Sequence, residues 1–266
     1  MYFLIFRTYL LRFFYKINLN VRRIVKEDKV LLLIKTFKIY ETNHKLIRLG
    51  DDGDGGYLVP DDLLGISACF TGGAGKTIKF EYDLANLGIK CFINDYSIDS
   101  SIFPYHEKIF LSKKFLGTEN SDKYIFFKEY LEKNTSDNQD YILKLDIEGD
   151  EYEIFQSLTE ENLKRMRIII FEIHDFTNII APLGFEIIKK IFSKLQKNHS
   201  IVHICPNNVT PGIKFSKKLT LFDQLEITLL RNDRIIEKNL AKNFPHSLDS
   251  KGNSIFNNRL PKCFYD

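Results

Sequence analysis

The chain has 266 residues and a net charge of +3, enough length for one substantial α/β domain and too little positive charge to argue for nucleic acid. Hydrophobic residues at 44% and charged residues at 27% fit a soluble globular protein, and no basic stripe interleaved with aromatics is present. The cysteines Cys69, Cys91, Cys205 and Cys263 form no CxxC pair, which argues against a zinc knuckle or disulfide framework and for a reducing cytoplasm.

Residues 1–44 read as an amphipathic helical arm. Its opening stretch MYFLIFRTYLLRFFYKINLNVRRIVK is apolar and aromatic but carries Arg7, Arg12, Lys16, Arg22 and Arg23. A spanning helix needs about 20 nearly uncharged residues, and the small-residue cleavage site of a signal peptide is missing. Two readings remain. The arm packs on the domain or on a partner subunit of a homo-oligomer, or residues 1–20 lie on a membrane surface. Packing is favoured, because apolar helical faces usually serve a core or an interface.

Residues 45–235 alternate short apolar strands with amphipathic helices, the pattern of a mostly parallel sheet covered on both faces. GISACF (65–70) is the first strand and runs into TGGAGK (71–76). In the helix TIKFEYDLANLG, Ile78, Tyr82 and Ala85 form one stripe and Phe80, Leu84 and Leu87 a second, with Thr77 as cap and Gly88 as stop. IKCFINDY (89–96) is the second strand, KIFLS (108–112) the third, and YIFFKEYLEK (124–133) the helix after it. YILKLDI (141–147) is the fourth strand, EYEIFQSLTEENLKRM (151–166) is helical, and RIIIFEIH (167–174) is the fifth. A helix over PLGFEIIKKIFSKLQKN precedes HSIVHIC (199–205), and LEITLLRND (225–233) closes the sheet. Residues 236–266 are polar and turn-rich, a loop or lid.

Gly72, Gly73 and Gly75 let the backbone turn sharply and let a ligand approach without Cβ interference. Asp95, roughly 20 residues on, sits where an acid hydrogen-bonds ribose hydroxyls. The plain alternative is a tight turn with a solvated aspartate. The loop has neither Walker spacing nor a clean GxGxxG, which favours a mononucleoside such as S-adenosylmethionine over a dinucleotide.

The stretch YILKLDIEGDEYEIF crowds Asp146, Glu148, Asp150, Glu151 and Glu153 around one glycine. Such carboxylates repel unless something cationic sits nearby. Alternation puts Asp146 and Glu148 on one face at the carboxyl end of the fourth strand, and Glu172 and His174 repeat the arrangement on the fifth. Neighbouring strands lie about 4.8 Å apart, so the four groups converge where open α/β sheets bind ligands. The cation could be a cofactor sulfonium, or a divalent metal on Asp146, Glu172, His174 and His203, with mixed N/O ligands suiting Mn²⁺ or Fe²⁺ better than Ca²⁺. Alternatively His174 or His203 is a general base without metal, or merely caps a strand. RLGDDGDGGYLVPDDL (48–63) forces a turn but lacks the twelfth-position acid of an EF-hand.

These residues together resemble the FkbM family of S-adenosylmethionine-dependent methyltransferases. The motifs are DGGYLVPDDL (54–63), GAGKTIKFE (73–81), KLDIEGDEYEIF (144–155), FEIH (171–174) and HICPNN (203–208) before LEITLL. The similarity covers roughly residues 45–250, and KLDIEGDEYEI is its most specific part. It implies the Rossmann-like class I methyltransferase fold, a mostly parallel seven-stranded sheet with an antiparallel last strand. It also implies O-methylation of a hydroxyl, commonly on a sugar or nucleotide-linked sugar in (capsular) polysaccharide biosynthesis. Separately from the resemblance, the acidic cluster itself suggests an assisting Mn²⁺ or Mg²⁺ that lowers the pKa of the acceptor hydroxyl. Carried over by position, Gly73 and Gly75 lie against the cofactor, Asp95 on its ribose and Asp146 near the reacting centre. Thr71, Gly72 and Tyr96 are also expected among the cofactor contacts, and Asp146, Glu148 and His174 as the catalytic set. Thr77 departs from the Asp or Asn expected in the family's loop. The alternative from another class is a non-catalytic protein on a nucleoside-binding fold, recruited to a membrane or partner through its arm. A glycosyltransferase is disfavoured, because no DxD-like pair follows a nucleotide-binding strand.

Overall fold

Runs dense in β-branched and aromatic residues become the seven strands of the central sheet. They are β1 (Ile66–Gly72), β2 (Lys90–Asn94), β3 (Ile109–Ser112), β4 (Asp140–Leu145), β5 (Met166–Ile173), β6 (His199–Pro206) and β7 (Leu225–Arg231). The computed structural model describes residues 10, 12–14, 16–18, 23–99, 101, 103–136, 138–249, 256 and 258–265. The strand order is β3-β2-β1-β4-β5-β7-β6. β7 runs antiparallel to both of its neighbours, and the other pairings are parallel. The expected α/β fold is borne out. The chain steps outward from β1 to β3 and then returns to β4, so the order reverses between β1 and β4, which is where such sheets bind ligands.

Alternation along the strands sorts the interior into two cores. Tyr141, Leu143 and Leu145 of β4, with Ile169, Phe171 and Ile173 of β5, face the larger core. That core takes in α1 (Glu27–Ile34) and α6 (Pro182–Leu195) through Val30, Ile34, Phe185 and Phe192. Ile142, Ile168 and Ile170 face the smaller core with Phe80 and Leu84 of α2 (Lys79–Asn86). Every residue of β5 is buried, which explains its unbroken apolar run. On the smaller-core side the same alternation carries Lys144, Glu172 and Glu226 toward the sheet's ligand end. A hairpin of Leu46–Leu49 with Tyr57–Pro60 covers this face, and Thr228 Oγ1 donates to Leu58 O (2.8 Å).

Several boundaries differ from the sequence expectation. α2 begins at Lys79, two residues late, because Thr77 Oγ1 donates to Asp51 Oδ2 (2.8 Å) and so ties the loop to the 48–63 turn, although it also accepts the Lys79 N–H. The helix expected over 124–133 starts as a strand, Tyr124–Phe126, paired with Phe115–Gly117, and only then becomes α3 (Phe127–Asn134). The single helical stretch 151–166 is two helices, α4 (Glu151–Ser157) and α5 (Glu160–Arg165), split where Thr159 and Asn162 form a reciprocal capping box. The segment after residue 235 is tied down at its start, since Lys238–Leu240 pairs with Tyr40–Thr42. Of the expected arm, residues 1–9, 11, 15 and 19–22 lie outside the described residues. Among the described residues no helix is long and apolar enough to cross a membrane.

At the far end of the sheet from the glycine loop, Arg167 is buried between Asp140 (2.7 Å) and Asp62 (3.4 Å). Arg231 also pairs with Asp140, and Arg234 with Asp62 (2.7 Å). This network clamps the end of the hairpin to β4, β5 and β7. Removing one member of a buried pair leaves its partner uncompensated, which typically costs about 3 kcal/mol or more. Arg167→Met should therefore lower the unfolding free energy by about 3 kcal/mol in urea titrations. A loss below about 1 kcal/mol would show that Arg231 and Arg234 suffice.

Candidate functional site

The loop after β1 passes so close to the end of β4 that only glycine fits. At Gly73 (φ +77°) an added Cβ would lie 1.7 Å from Asp146 O. Asp146 N donates to Gly72 O (3.0 Å) and Gly73 N to Asn94 O (3.2 Å), locking the three strand ends together. Gly75 (φ +57°) has no atom within 4 Å of a built Cβ and lines an open cradle. Asp95 holds the loop in this shape: Oδ2 accepts from Ala74 N (3.0 Å) and Gly75 N (3.4 Å), Oδ1 from Ser97 N (2.8 Å) and Oγ (2.6 Å). Burial works against its charge, yet the Ser97 hydroxyl and these backbone N–H groups keep its pKa below the usual carboxylate value.

The cradle is one side of a cavity of about 700 Å³. Its near wall is loop 73–77 with Asp95, Ser97, Phe115, Leu116 and Ile147. Its far wall is polar, with Lys144, Asp146, Glu172, His174, His203 and Glu226. Three of the expected cofactor contacts are elsewhere. Thr71 is fully buried and donates to Glu81 Oε1 (2.9 Å). Gly72 faces packed side chains, its built Cβ meeting Leu116 at 2.7 Å. Tyr96 is directed to the surface and packs on Phe115, ring centroids 5.4 Å apart. The remaining members of that set, Gly73, Gly75, Asp95 and Asp146, do line the cavity.

Asp146, Glu148, Glu172 and His174 do converge, and the cation among them is the histidine. His174 Nδ1 lies 3.0 Å from Glu151 Oε1, while Nε2 lies 3.5 Å from Glu148, 3.8 Å from Asp146 and 3.9 Å from Glu172. Burial disfavours its charge, but the Glu151 hydrogen bond and charge, then Glu172 and Asp146, push its pKa up to about 9. It is therefore an imidazolium at neutral pH. Glu151, itself buried, also accepts the Ile147 N–H (2.8 Å) and Gly149 N–H (3.0 Å). These bonds close the turn in which Glu148 takes the left-handed conformation (φ +57°).

A second cation sits beneath. Lys144 Nζ donates to Gly73 O (3.0 Å), lies 3.6 Å from Glu81 and 5.0 Å from the Tyr57 ring centroid. Tyr57 in turn donates to Asp146 Oδ2 (3.0 Å). Glu172, which accepts from Asn207 Nδ2 (2.9 Å), is pushed up to about 7, by burial first and Asp146 next. Glu226 stands directly across from it in the β5–β7 register. Burial, then Glu172 and Asp146, raise the Glu226 pKa well above the usual range.

The four-residue metal set expected from sequence is not assembled. Asp146, Glu148 and His174 bring ligand atoms within 4.8 Å of one another, and Glu172 and His203 belong to no such group among the described residues. His203 is instead engaged by the C-terminal segment, Nε2 at 2.7 Å from Asp249 Oδ1. Tyr57, Lys144, Glu226 and Asp249 are further site residues, and Glu151, one of the crowded carboxylates, is the partner of His174 Nδ1. Lys144 was detectable, because it precedes Asp146 by two on the same strand face. Asp249 had no local signal, since its place depends on where the tail returns.

Residues 113–199 match the methyltransferase FkbM domain, a stretch shorter than half of the chain that includes β4, the acidic turn and β5. The resemblance drawn from KLDIEGDEYEIF and FEIH is borne out there. No curated protein matches the sequence. Distant likenesses exist among solved structures. One is the Methanococcus jannaschii fibrillarin pre-rRNA processing protein, 15% identical over 71% of this chain and 83% of that one, TM-score 0.40. Another is magnesium protoporphyrin IX methyltransferase from Synechocystis PCC 6803 with bound SAM, 12% identical over 64% and 72%, TM-score 0.31. The N-methyltransferase NodS from Bradyrhizobium japonicum WM9 is 10% identical over 77% and 93%, TM-score 0.34.

The histidine pKa has a thermodynamic consequence. Raised from 6.5 to about 9 by folding, His174 contributes stability that is complete below pH 6.5 and lost as pH rises to about 9. Unfolding free energy should therefore fall across that window in the wild type and fall less in His174→Gln. Parallel profiles for the two proteins would contradict an imidazolium at this position.

Proposed function

We propose that this chain, whose residues 113–199 match an FkbM methyltransferase domain, is an S-adenosylmethionine-dependent O-methyltransferase acting on a hydroxyl of a sugar or nucleotide-linked sugar. The observation that carries the reading is one cavity joining a glycine cradle to a charged cluster at the carboxyl ends of β4 and β5. The residues present fit the cofactor. Gly75 leaves open the space that any side chain would fill, and Phe115, Leu116 and Ile147 offer an apolar wall suited to a purine ring. Asp146 and Glu148 offer negative charge suited to a sulfonium. When bound, S-adenosylmethionine supplies an electrophilic methyl group on that sulfonium.

The chain's own residues then act by position and charge. Asp95 fixes the cradle by holding the 74–75 backbone. Tyr57 and the His174 imidazolium hold Asp146 from two sides. Methyl transfer needs the acceptor oxygen about 3 to 3.5 Å from the methyl carbon, so an enclosed and rigid pocket supplies much of the rate. The hydroxyl acceptor, the sugar and the polysaccharide setting are supported by the family resemblance and by the polar far wall.

A second reading adds a divalent ion, favoured by the one nitrogen and two carboxylates that meet in Asp146, Glu148 and His174. One nitrogen and two oxygens suit Mn²⁺ or Fe²⁺, and such an ion would replace the proton on His174 Nε2. Under the imidazolium reading, turnover in excess EDTA stays unchanged. Loss of turnover that Mn²⁺ restores would establish the ion.

Titration calorimetry tests the cofactor directly. The wild type should bind S-adenosylmethionine, and Gly75→Val should bind it at least tenfold more weakly. Gly88→Ala, equally left-handed (φ +91°) but away from the cavity, should bind as the wild type does. No binding by folded wild-type protein at millimolar cofactor would end the methyltransferase reading. Radiolabelled transfer to a panel of nucleotide sugars identifies the acceptor, and transfer only to protein, lipid or catechol acceptors would overturn the sugar assignment.

A further inference from the structure

His203 is aimed into the cavity by an irregularity in β6. The register runs Ile201 opposite Leu229, then His203 opposite Thr228, so Val202 is an extra residue. Without that bulge His203 would stand opposite Ile227 and face the larger core. With it, the ring emerges on the face shared by Glu172 and Glu226. The residue is 5% exposed and lines the cavity.

Its partner fixes which nitrogen is free. Nε2 lies 2.7 Å from Asp249 Oδ1, and Asp249 is held in turn by the backbone N–H of His246, which donates to Oδ2 (2.7 Å). A carboxylate only accepts, so Nε2 donates to it, and in the neutral ring Nδ1 is then the nitrogen with the free lone pair. The hydrogen bond found for the ring among the described residues is the one at Nε2. The other titratable or charged groups of this neighbourhood are His246, its ring 6.3 Å from that of His203 and its pKa lowered by burial, Glu226 on β7, its pKa raised by burial, and Arg48 on the hairpin.

Most other polar groups of the far wall are committed, and Glu226, which has no hydrogen bond among the described residues, is a poor proton acceptor because burial, Glu172 and Asp146 favour its protonated form. Both nitrogens of His174 face carboxylates, Asp146 accepts from Tyr57, and Glu172 accepts from Asn207. We propose that His203, oriented by Asp249 of the C-terminal segment, takes the proton of the acceptor hydroxyl. The inference rests on the methyl-transfer reading. The acceptor oxygen forms the new bond to carbon as the sulfur–carbon bond breaks and its electron pair stays on sulfur. The hydroxyl proton passes to His203 Nδ1, leaving an imidazolium paired with Asp249. His203 is thus a catalytic residue and Asp249 a positioning residue, which makes the C-terminal segment a working part of the site.

Nitrogen-15 NMR of the histidine-labelled, cofactor-loaded full chain tests this without an acceptor. The wild type should show His203 as the Nε2–H tautomer with Nδ1 unprotonated at neutral pH. Asp249→Asn presents an amide donor to Nε2 and should shift the ring toward the Nδ1–H form. With an equimolar mixture of nucleoside diphosphate sugars, His203→Gln should lower turnover at least a hundredfold, the usual scale of a lost base, with cofactor affinity unchanged within threefold. Asp249→Asn should lower turnover more than tenfold, because the wrong tautomer cannot accept the proton. An Nδ1–H tautomer in the wild type, or His203→Gln turning over within threefold of it, would overturn the base assignment. Wild-type cofactor binding, measured separately, reports on the methyl-transfer reading, so the two failures are told apart.

Discussion

The site depends on one buried histidine with carboxylates at both of its ring nitrogens. Glu151 lies at Nδ1 and Asp146, Glu148 and Glu172 lie around Nε2, all within 3.9 Å. Without a positive charge here, the carboxyl end of β4 would hold several anions in a space partly closed to water, where like charges force protonation or rearrangement. The same interaction shapes the backbone. The carboxylate that meets His174 also takes two N–H groups of the turn after β4. That turn places Glu148 at the cavity rim while Asp146 stays on its wall. Charge balance and chain direction are therefore one problem with one solution, and a bound sulfonium would enter a cluster that is already compensated.

The sheet makes this arrangement reachable. Two-residue alternation sends apolar groups of β4, β5 and β7 to the larger core, and Lys144, Glu172 and Glu226 to the side covered by the hairpin. Lys144 joins the two halves, since its ammonium reaches the carbonyl of Gly73 on the glycine loop and lies over the ring of Tyr57. At the opposite end, Arg167 with Asp62 and Asp140 anchors the end of the same hairpin to β4 and β5. Tyr57 opens the hairpin strand Tyr57–Pro60 and Asp62 lies two residues past its end, so the roof over the cavity is positioned by ion pairs far from it.

Local pattern made much of this legible in the sequence. The seven strands were visible as apolar runs, and the convergence of Asp146, Glu148, Glu172 and His174 followed from period-two spacing on strands assumed to be neighbours. Interactions between distant segments were not legible. The acids call for a cation, and the sequence pattern does not show that the carboxylate of Glu151, the first residue of the helix after the turn, favours the charged form of the histidine among them. His203 was grouped with His174 because both lie near strand ends. A single extra residue in β6 and an aspartate in the tail give it a different partner. Thr71 and Tyr96 looked like cofactor contacts by adjacency, but alternation turns Thr71 inward to Glu81 and leaves Tyr96 on the surface.

The charge on His174 is the point from which the account is most directly tested. Nitrogen-15 chemical shifts of its ring, followed through a pH titration of the chelated and cofactor-free protein, report protonation at each nitrogen. The expected result is a doubly protonated ring at pH 7.5 that loses its proton near pH 9. A neutral ring at pH 7.5 would contradict it, and would mean that the carboxylates around His174 are balanced by something other than this chain's own histidine.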